Sequence, residues 1–226
     1  MNELYYSGEG GRGNSSIDGE SSVSYDLGLG GHIGAVGAGI VWDVTHYQIS
    51  MEDRIQWLPT ETPRIWAPAN LGRTRSWGWE FGTEWKILPG EVELRAEYSI
   101  IDAKKASIST YGTIEYVDQL IYIPLDKGSL GVLLGRRDIS GWLRGIALRL
   151  EAIHTGERFL LENQSEALPS HKNFRGSVIA ELGLPSGTFV VHYAAENLAN
   201  VDYSVMPGYP MPGFNHSVSI HYKLIM

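Results

Sequence analysis

The sequence predicts an all-β protein, an antiparallel up-and-down transmembrane β-barrel with about nine strands. Three observations carry the prediction. Apolar and polar residues alternate with period two along most of the chain, while helical periodicity is scarce. Several of these runs reach the length a tilted strand needs to cross a hydrocarbon layer, about 9–11 residues. Short and long connections alternate without a break, which in an up-and-down sheet puts every tight turn on one edge and every long loop on the other. Greek-key sandwiches rarely sort their loops this way. Alternation alone leaves a soluble sheet open, with its charged face in bulk water.

The strands follow in order. Val23, Tyr25, Leu27 and Leu29 alternate with Ser24, Asp26 and Gly28, and Gly30 to Gly34 reads as a tight turn into a Val-, Ile- and Gly-rich strand at 37–50. A long connection runs from about Glu52 to Gly72. Trp77, Trp79, Phe81, Trp85 and Ile87 then alternate with Ser76, Gly78, Glu80, Gly82, Glu84 and Lys86. Leu88-Pro89-Gly90 turns the chain into Val92, Leu94, Ala96, Tyr98 and Ile100, interleaved with Glu93, Arg95, Glu97 and Ser99. A long connection, about Ala103 to Asp126, leads to the strand at 127–136, and Arg137 to Gly141 is short. Ile146, Leu148, Leu150 and Ala152 alternate with Gly145, Ala147, Arg149 and Glu151. After the long stretch from His154 to Lys172, Phe174, Val178, Ala180 and Leu182 alternate with Arg175, Ser177 and Glu181. The tight Leu184-Pro185-Ser186-Gly187 precedes Phe189, Val191, Tyr193 and Ala195. The long Asn197 to Pro212 precedes Val218, Ile220, Tyr222 and Leu224.

In a barrel the charged set faces a wet lumen. That set is Glu80, Glu84, Glu93, Arg95, Glu97, Arg149, Glu151, Arg175 and Glu181, joined by Lys86. The opposite set, such as Val92, Leu94, Ala96, Tyr98 and Ile100, is expected to face lipid. Trp42, Trp77, Trp85, Trp142, Tyr25 and Tyr222 lie near strand ends, where interfacial girdles need amphipathic rings; packing a soluble core is the competing use.

Composition narrows the function. The net charge of −8 argues against nucleic acid, whose phosphates ask for clustered Lys and Arg. The absence of cysteine rules out disulfides and thiolate metal sites. No apolar run of about 18 residues encodes a transmembrane helix. The N-terminal MNELYYSGEGGRG lacks the basic and apolar regions of a signal peptide, so the bare chain reads as cytoplasmic or as a fragment without its address.

Catalytic and metal patterns are weak. Gly8-Glu9-Gly10-Gly11-Arg12-Gly13 has dinucleotide-loop spacing but neither the preceding strand nor the following helix, so an external loop is expected. Glu80 with Glu84, and Glu93 with Glu97, would stand about 13 Å apart on a strand, whereas hydrolytic carboxylate pairs want roughly 5–9.5 Å. His192 and Glu196 share that spacing, and His154, His171 and His216 are scattered; no metal or cofactor is expected. Asn14, Asn163 and Asn215 open chance glycosylation triplets. The long loops are the expected binding surface. Trp57, Trp66, Tyr111, Tyr116, Tyr203 and Tyr209, with Arg54 and Arg158, suit a flat ligand such as an iron chelate or a corrinoid. Bracing neighbouring loops is the plainer role for any one of them. Pro207 to Gly213 reads as a stiffened turn into the last strand.

Several motifs occur in a telling order. They are Asn2-Glu3-Leu4-Tyr5 with Gly13-Asn14 and Glu20-Ser21; Trp66-Ala67-Pro68-Ala69-Asn70-Leu71-Gly72 with Gly78-Trp79-Glu80; Tyr122-Ile123-Pro124-Leu125-Asp126-Lys127; and His154-Thr155-Gly156-Glu157-Arg158-Phe159. The most specific is Glu196-Asn197-Leu198, Asp202-Tyr203, then Pro207-Gly208-Tyr209-Pro210-Met211-Pro212-Gly213. Together they resemble the C-terminal part of the barrel of a TonB-dependent outer-membrane receptor. Departures are Ile17 and Gly19 where Leu and Pro are usual, Ala69 for Glu, Asp126 for His, and His154 where the pattern has Tyr. The resemblance implies an integral protein of a Gram-negative outer membrane, not an enzyme. The intact machine would bind a metal chelate (siderophore) or cobalamin outside and admit it when TonB perturbs a plug domain. Such barrels have about 22 strands, so Met1 would fall inside the barrel. The plug, the TonB-contacting segment and the early strands are then expected to be missing, leaving a truncated or split receptor, a partial barrel over 1–226. TonB would be reached only through that missing N-terminal part. Leu224, followed by Ile225-Met226, stands where the family usually ends on an aromatic. An open sheet also leaves unpaired backbone groups that lipid cannot satisfy, so the missing half, another copy or detergent is needed. Two other classes stay open: a passive porin-like channel, and a soluble β-sheet protein that binds carbohydrate or hydrolyses it.

Overall fold

Nine long strands hydrogen-bond to their chain neighbours in one antiparallel meander. They are β1 Ser21–Ala35, β2 Ala38–Glu52, β3 Thr74–Leu88, β4 Val92–Ile108, β5 Asp126–Arg137, β6 Leu143–Thr155, β7 His171–Leu184, β8 Gly187–Glu196 and β9 Asn215–Leu224. This is a computed structural model that describes residues 2–8, 10–35, 37–62, 64–108 and 113–224. A short strand, Ile114–Gln119, adds to the loop-side end of β4 as the sheet's tenth member. The sheet does not close. Among the described residues β1 pairs only with β2, and β9 only with β8.

The register explains why period two was so clear. Each strand offers alternate residues to opposite faces, and the pairings keep like with like. Glu84 lies opposite Arg95 and Lys86 opposite Glu93, while Trp85 lies opposite Leu94 and Phe81 opposite Tyr98. On the apolar face the series continues as Val92–Leu134–Leu148–Val178–Tyr193–Val218 across six strands. No second layer covers this face: Leu27 is 79% exposed and Ile220 is 63% exposed. A patch of that extent needs an apolar surrounding.

Gly30 to Gly34 is not a turn. These residues belong to β1, and the reversal comes between Ala35 and Ala38. The glycines serve cross-strand packing. A Cβ on Gly31 would come within 3.1 Å of the indole of Trp42, its partner on β2. Gly34 has φ +139°, where a Cβ would collide with the Ala38 carbonyl. The connection expected from Ala103 to Asp126 is also partly sheet. β4 runs on to Ile108 because Lys104–Ile108 gain a partner in Ile114–Gln119.

The buried hydrophobic cluster sits at the loop-side end of the sheet. Leu71, Ala103 and Leu120 are buried together, with Leu58, Ile101 and Ile123 packed on them. The loop after β2 folds as a hairpin of Ile55–Pro59 with Trp66–Asn70. The helical turn Asn2–Tyr5 and the small ladder Ser7–Gly8 with Gly11–Arg12 dock on it, Gly11 pairing with Trp66. The Gly8–Gly13 stretch is thus loop, as expected, although Glu9 lies outside the described residues.

Candidate functional site

Two surfaces carry the expected functional residues: the charged face of the sheet and the loop layer at one end.

On the charged face, alternation and register bring all nine expected residues to one side. One row crosses five strands as Glu84, Arg95, Gly131, Glu151 and Arg175. The next runs Lys86, Glu93, Leu133 and Arg149. Glu80 and Glu97 precede them, opposite Ser99 and Gly82, and Glu181 follows opposite Gly145. Opposite signs therefore alternate along and across the strands. Arg175 Nη2 lies 2.8 Å from Glu151 Oε2, Lys86 Nζ lies 3.5 Å from Glu84, and Arg95 Nη2 lies 3.9 Å from Glu84. Glu93 accepts the Gly90 N–H at 2.7 Å, capping the tight turn after β3. Each of these carboxylates has a cation or a backbone donor, so none is arranged as one half of an acid–base pair. Glu84, Glu93, Arg95, Glu97, Arg149, Glu151 and Arg175 line a concavity of about 430 Å³ floored by Ser129 and Gly131.

In the loop layer the expected ligand-facing residues are spread among separate contacts. Trp57 meets Tyr6 edge-on at 5.9 Å, and Trp66 packs on Tyr122 at 5.8 Å. Tyr116 lies beneath the Arg75 guanidinium at 4.5 Å. Tyr203 stacks on His171 at 4.4 Å, and its hydroxyl accepts from Asn173 Nδ2. Arg158 is buried and donates from Nη2 to the Ser204 carbonyl at 3.1 Å; burial holds its pKa below the ordinary guanidinium value. Burial likewise lowers Arg54, with Glu20 opposing the shift. Tyr209 is 69% exposed at the tip of the hairpin Ser204–Met206 with Tyr209–Pro210. Tyr111 lies outside the described residues. Most of these side chains brace loop against loop. Tyr203 also lines a cleft of about 460 Å³ with His154, His171 and Lys172.

Sequence reasoning missed Tyr6 and Tyr122, which complete two of the aromatic pairs, and the role of Asn197. Asn197 is buried with φ +50°. Its Nδ2 donates to the Val201 and Pro212 carbonyls and its Oδ1 accepts the Val201 N–H, clasping the loop before β9. The signal was its place in the most specific motif.

Comparison with known proteins fits this geometry. The family model described as TonB dependent receptor-like, beta-barrel matches residues 1–204. No curated protein matches the sequence. Among solved structures, the chain is similar to the ferric preacinetobactin receptor of Acinetobacter baumannii, with TM-score 0.67 and 13% identity over 89% of this chain and 29% of that one. It is also similar to the FrpB iron transporter of Neisseria meningitidis, with TM-score 0.60 and 9% identity over 91% of this chain and 31% of that one. The ferric enterobactin receptor of Pseudomonas aeruginosa gives TM-score 0.60 and 12% identity over 94% and 34%. The chain thus spans about a third of the length of the solved structures it matches.

Proposed function

Because this chain belongs to the TonB-dependent receptor β-barrel family, we propose that it is the C-terminal part of the wall of such a receptor in a Gram-negative outer membrane. Members of the family are transporters rather than enzymes. In this reading the apolar face meets lipid, the charged face lines the lumen, and the long loops lie outside the cell. The observation that carries it is the uncovered apolar face, continuous across nine strands and backed by a charged face. A soluble sheet would leave that area in water, at about 25 cal/mol per Å² of apolar surface.

The intact receptor takes up a metal chelate. Two of the neighbours named above are receptors for ferric chelates and the third is an iron transporter, and this favours a siderophore over cobalamin. Loop aromatics and cations, Trp57, Trp66, Tyr111, Tyr116, Tyr203, Tyr209, Arg54 and Arg158, would contribute to that surface. Those with intramolecular partners would act by holding loop shape. The plug, the TonB contact and the early strands belong to polypeptide outside residues 1–226, the chain being one piece of a truncated or split receptor.

Labelling of single-cysteine variants in lipid bilayers tests the orientation. A membrane-impermeant maleimide is expected to modify Arg95→Cys and to spare Leu94→Cys. The reverse pattern would turn the wall inside out and end this reading.

A further inference from the structure

We infer that the outermost strands β1 and β9 are interfaces, and that the partner they take is an antiparallel β-wall with an odd number of strands, not a second copy of this chain. The inference deepens the wall reading and rests on it.

The first argument is composition. Strands that end a sheet are normally protected by short length, Pro, Lys, bulges or inward charges. β1 spans 15 residues without Pro or Lys, with Asp26 as its one formal charge. β9 spans 10 residues without Pro, and its one formal charge, Lys223, stands next to its last residue. Both pair with their single neighbour in unbroken register, without a bulge. Both carry the apolar-out alternation of the strands between them. They are built like interior strands and lack one neighbour each. In lipid, a row of unpaired N–H and C=O groups costs several kcal/mol per group.

The second argument is direction. The chain leaves β1 through the tight turn at Ala35–Ala38 and enters β9 from the long connection after Glu196. Both edge strands therefore run from the loop side to the turn side. A partner pairing antiparallel with each must begin and end on strands that run the other way. In an up-and-down wall that requires an odd number of strands. A second copy with its loops on the same side would meet this one through two parallel seams, each less stable per residue than an antiparallel one. Turning the copy over would restore antiparallel pairing but would send its loop layer, with Arg54 and Arg158, to the opposite side of the membrane. A family barrel of about 22 strands, less these nine, leaves an odd remainder, in agreement.

The full chain in bilayers tests this. Leu27→Cys and Ile220→Cys, both on the apolar face of the edges, are combined in one chain and treated with a short thiol cross-linker. Alone, the chain is expected to give no cross-link between copies, and the β1 and β9 amides should exchange at least about a hundredfold faster than those of β5. The probe partner is the ferric preacinetobactin receptor of Acinetobacter baumannii with its matched strands deleted, refolded with the chain; a control lacks one strand more. The odd-stranded partner is expected to slow exchange at both edges, and the control at one only. Efficient cross-linking between copies with both edges protected would make a second copy the partner and overturn the inference. Equal protection by both partners, or by neither, would overturn it too. These readouts are independent of labelling at positions 94 and 95, so failure of the edges and failure of the wall reading are told apart.

Discussion

Asn197 shows how much a single side chain can hold. It satisfies two carbonyls and one N–H in a loop that has little secondary structure of its own. Its left-handed backbone suits Asn better than most residues. Asn197→Ala would leave those groups buried without partners, a cost of about 1–3 kcal/mol. The expected outcome is a lower denaturant midpoint in detergent micelles, with increased proteolysis between Asn197 and Gly213. A second residue-scale finding concerns two departures from the family pattern. Asp126 and His154 face each other, with His154 Nε2 2.9 Å from Asp126 Oδ2 and the Tyr98 hydroxyl donating to the same oxygen at 2.8 Å. The two substitutions are one exchange of partners across the β5–β6 seam. Neither departure could be understood alone from sequence, because the residues stand 28 apart and meet only through register.

At the scale of the element, strands were legible because period two is a local signal and every strand has one wet face. The β1–β2 turn was misread because glycine is written the same way whether it opens a turn or admits a neighbour's ring. The deciding residue, Trp42, lies across the hairpin. The loop aromatics were found but not their partners: Trp66 meets Tyr122 from another loop, and Trp57 meets Tyr6 near the N-terminus. Pairing across strands also makes a prediction. Glu151 and Arg175 are cross-strand neighbours in contact, with Arg175 half exposed. Arg175→Glu would set like charges opposite each other, at roughly 0.2–1 kcal/mol after solvent screening. The double exchange Glu151→Arg with Arg175→Glu should recover most of the loss in a double-mutant cycle.

For the whole molecule, what matters is which face a change touches, more than how large it is. Leu133 and Leu134 are adjacent on β5, yet Leu133 lies in the charged row and Leu134 in the apolar row. Leu134→Arg is expected to destabilise the folded state in bilayers by about 2–4 kcal/mol, while Leu133→Arg should be tolerated within a fraction of that. Similar losses at both positions would contradict the two-faced wall. Family and faces could be read from the letters, and the open sheet follows from strand number. How the loops interlock depended on contacts between segments far apart in the chain.

The position of the buried hydrophobic cluster has a thermal consequence. Leu71, Ala103 and Leu120 lie under the loops, whereas in the wall reading the sheet's apolar side chains are solvated by hydrocarbon. Heat capacity rises on unfolding where apolar surface passes into water. In a micelle, the wall's greasy face stays among alkyl chains when the strands separate, and only the loop layer makes that passage. Calorimetry should therefore find an unusually small heat-capacity increment for the chain's length, with cooling loosening the loops before the wall.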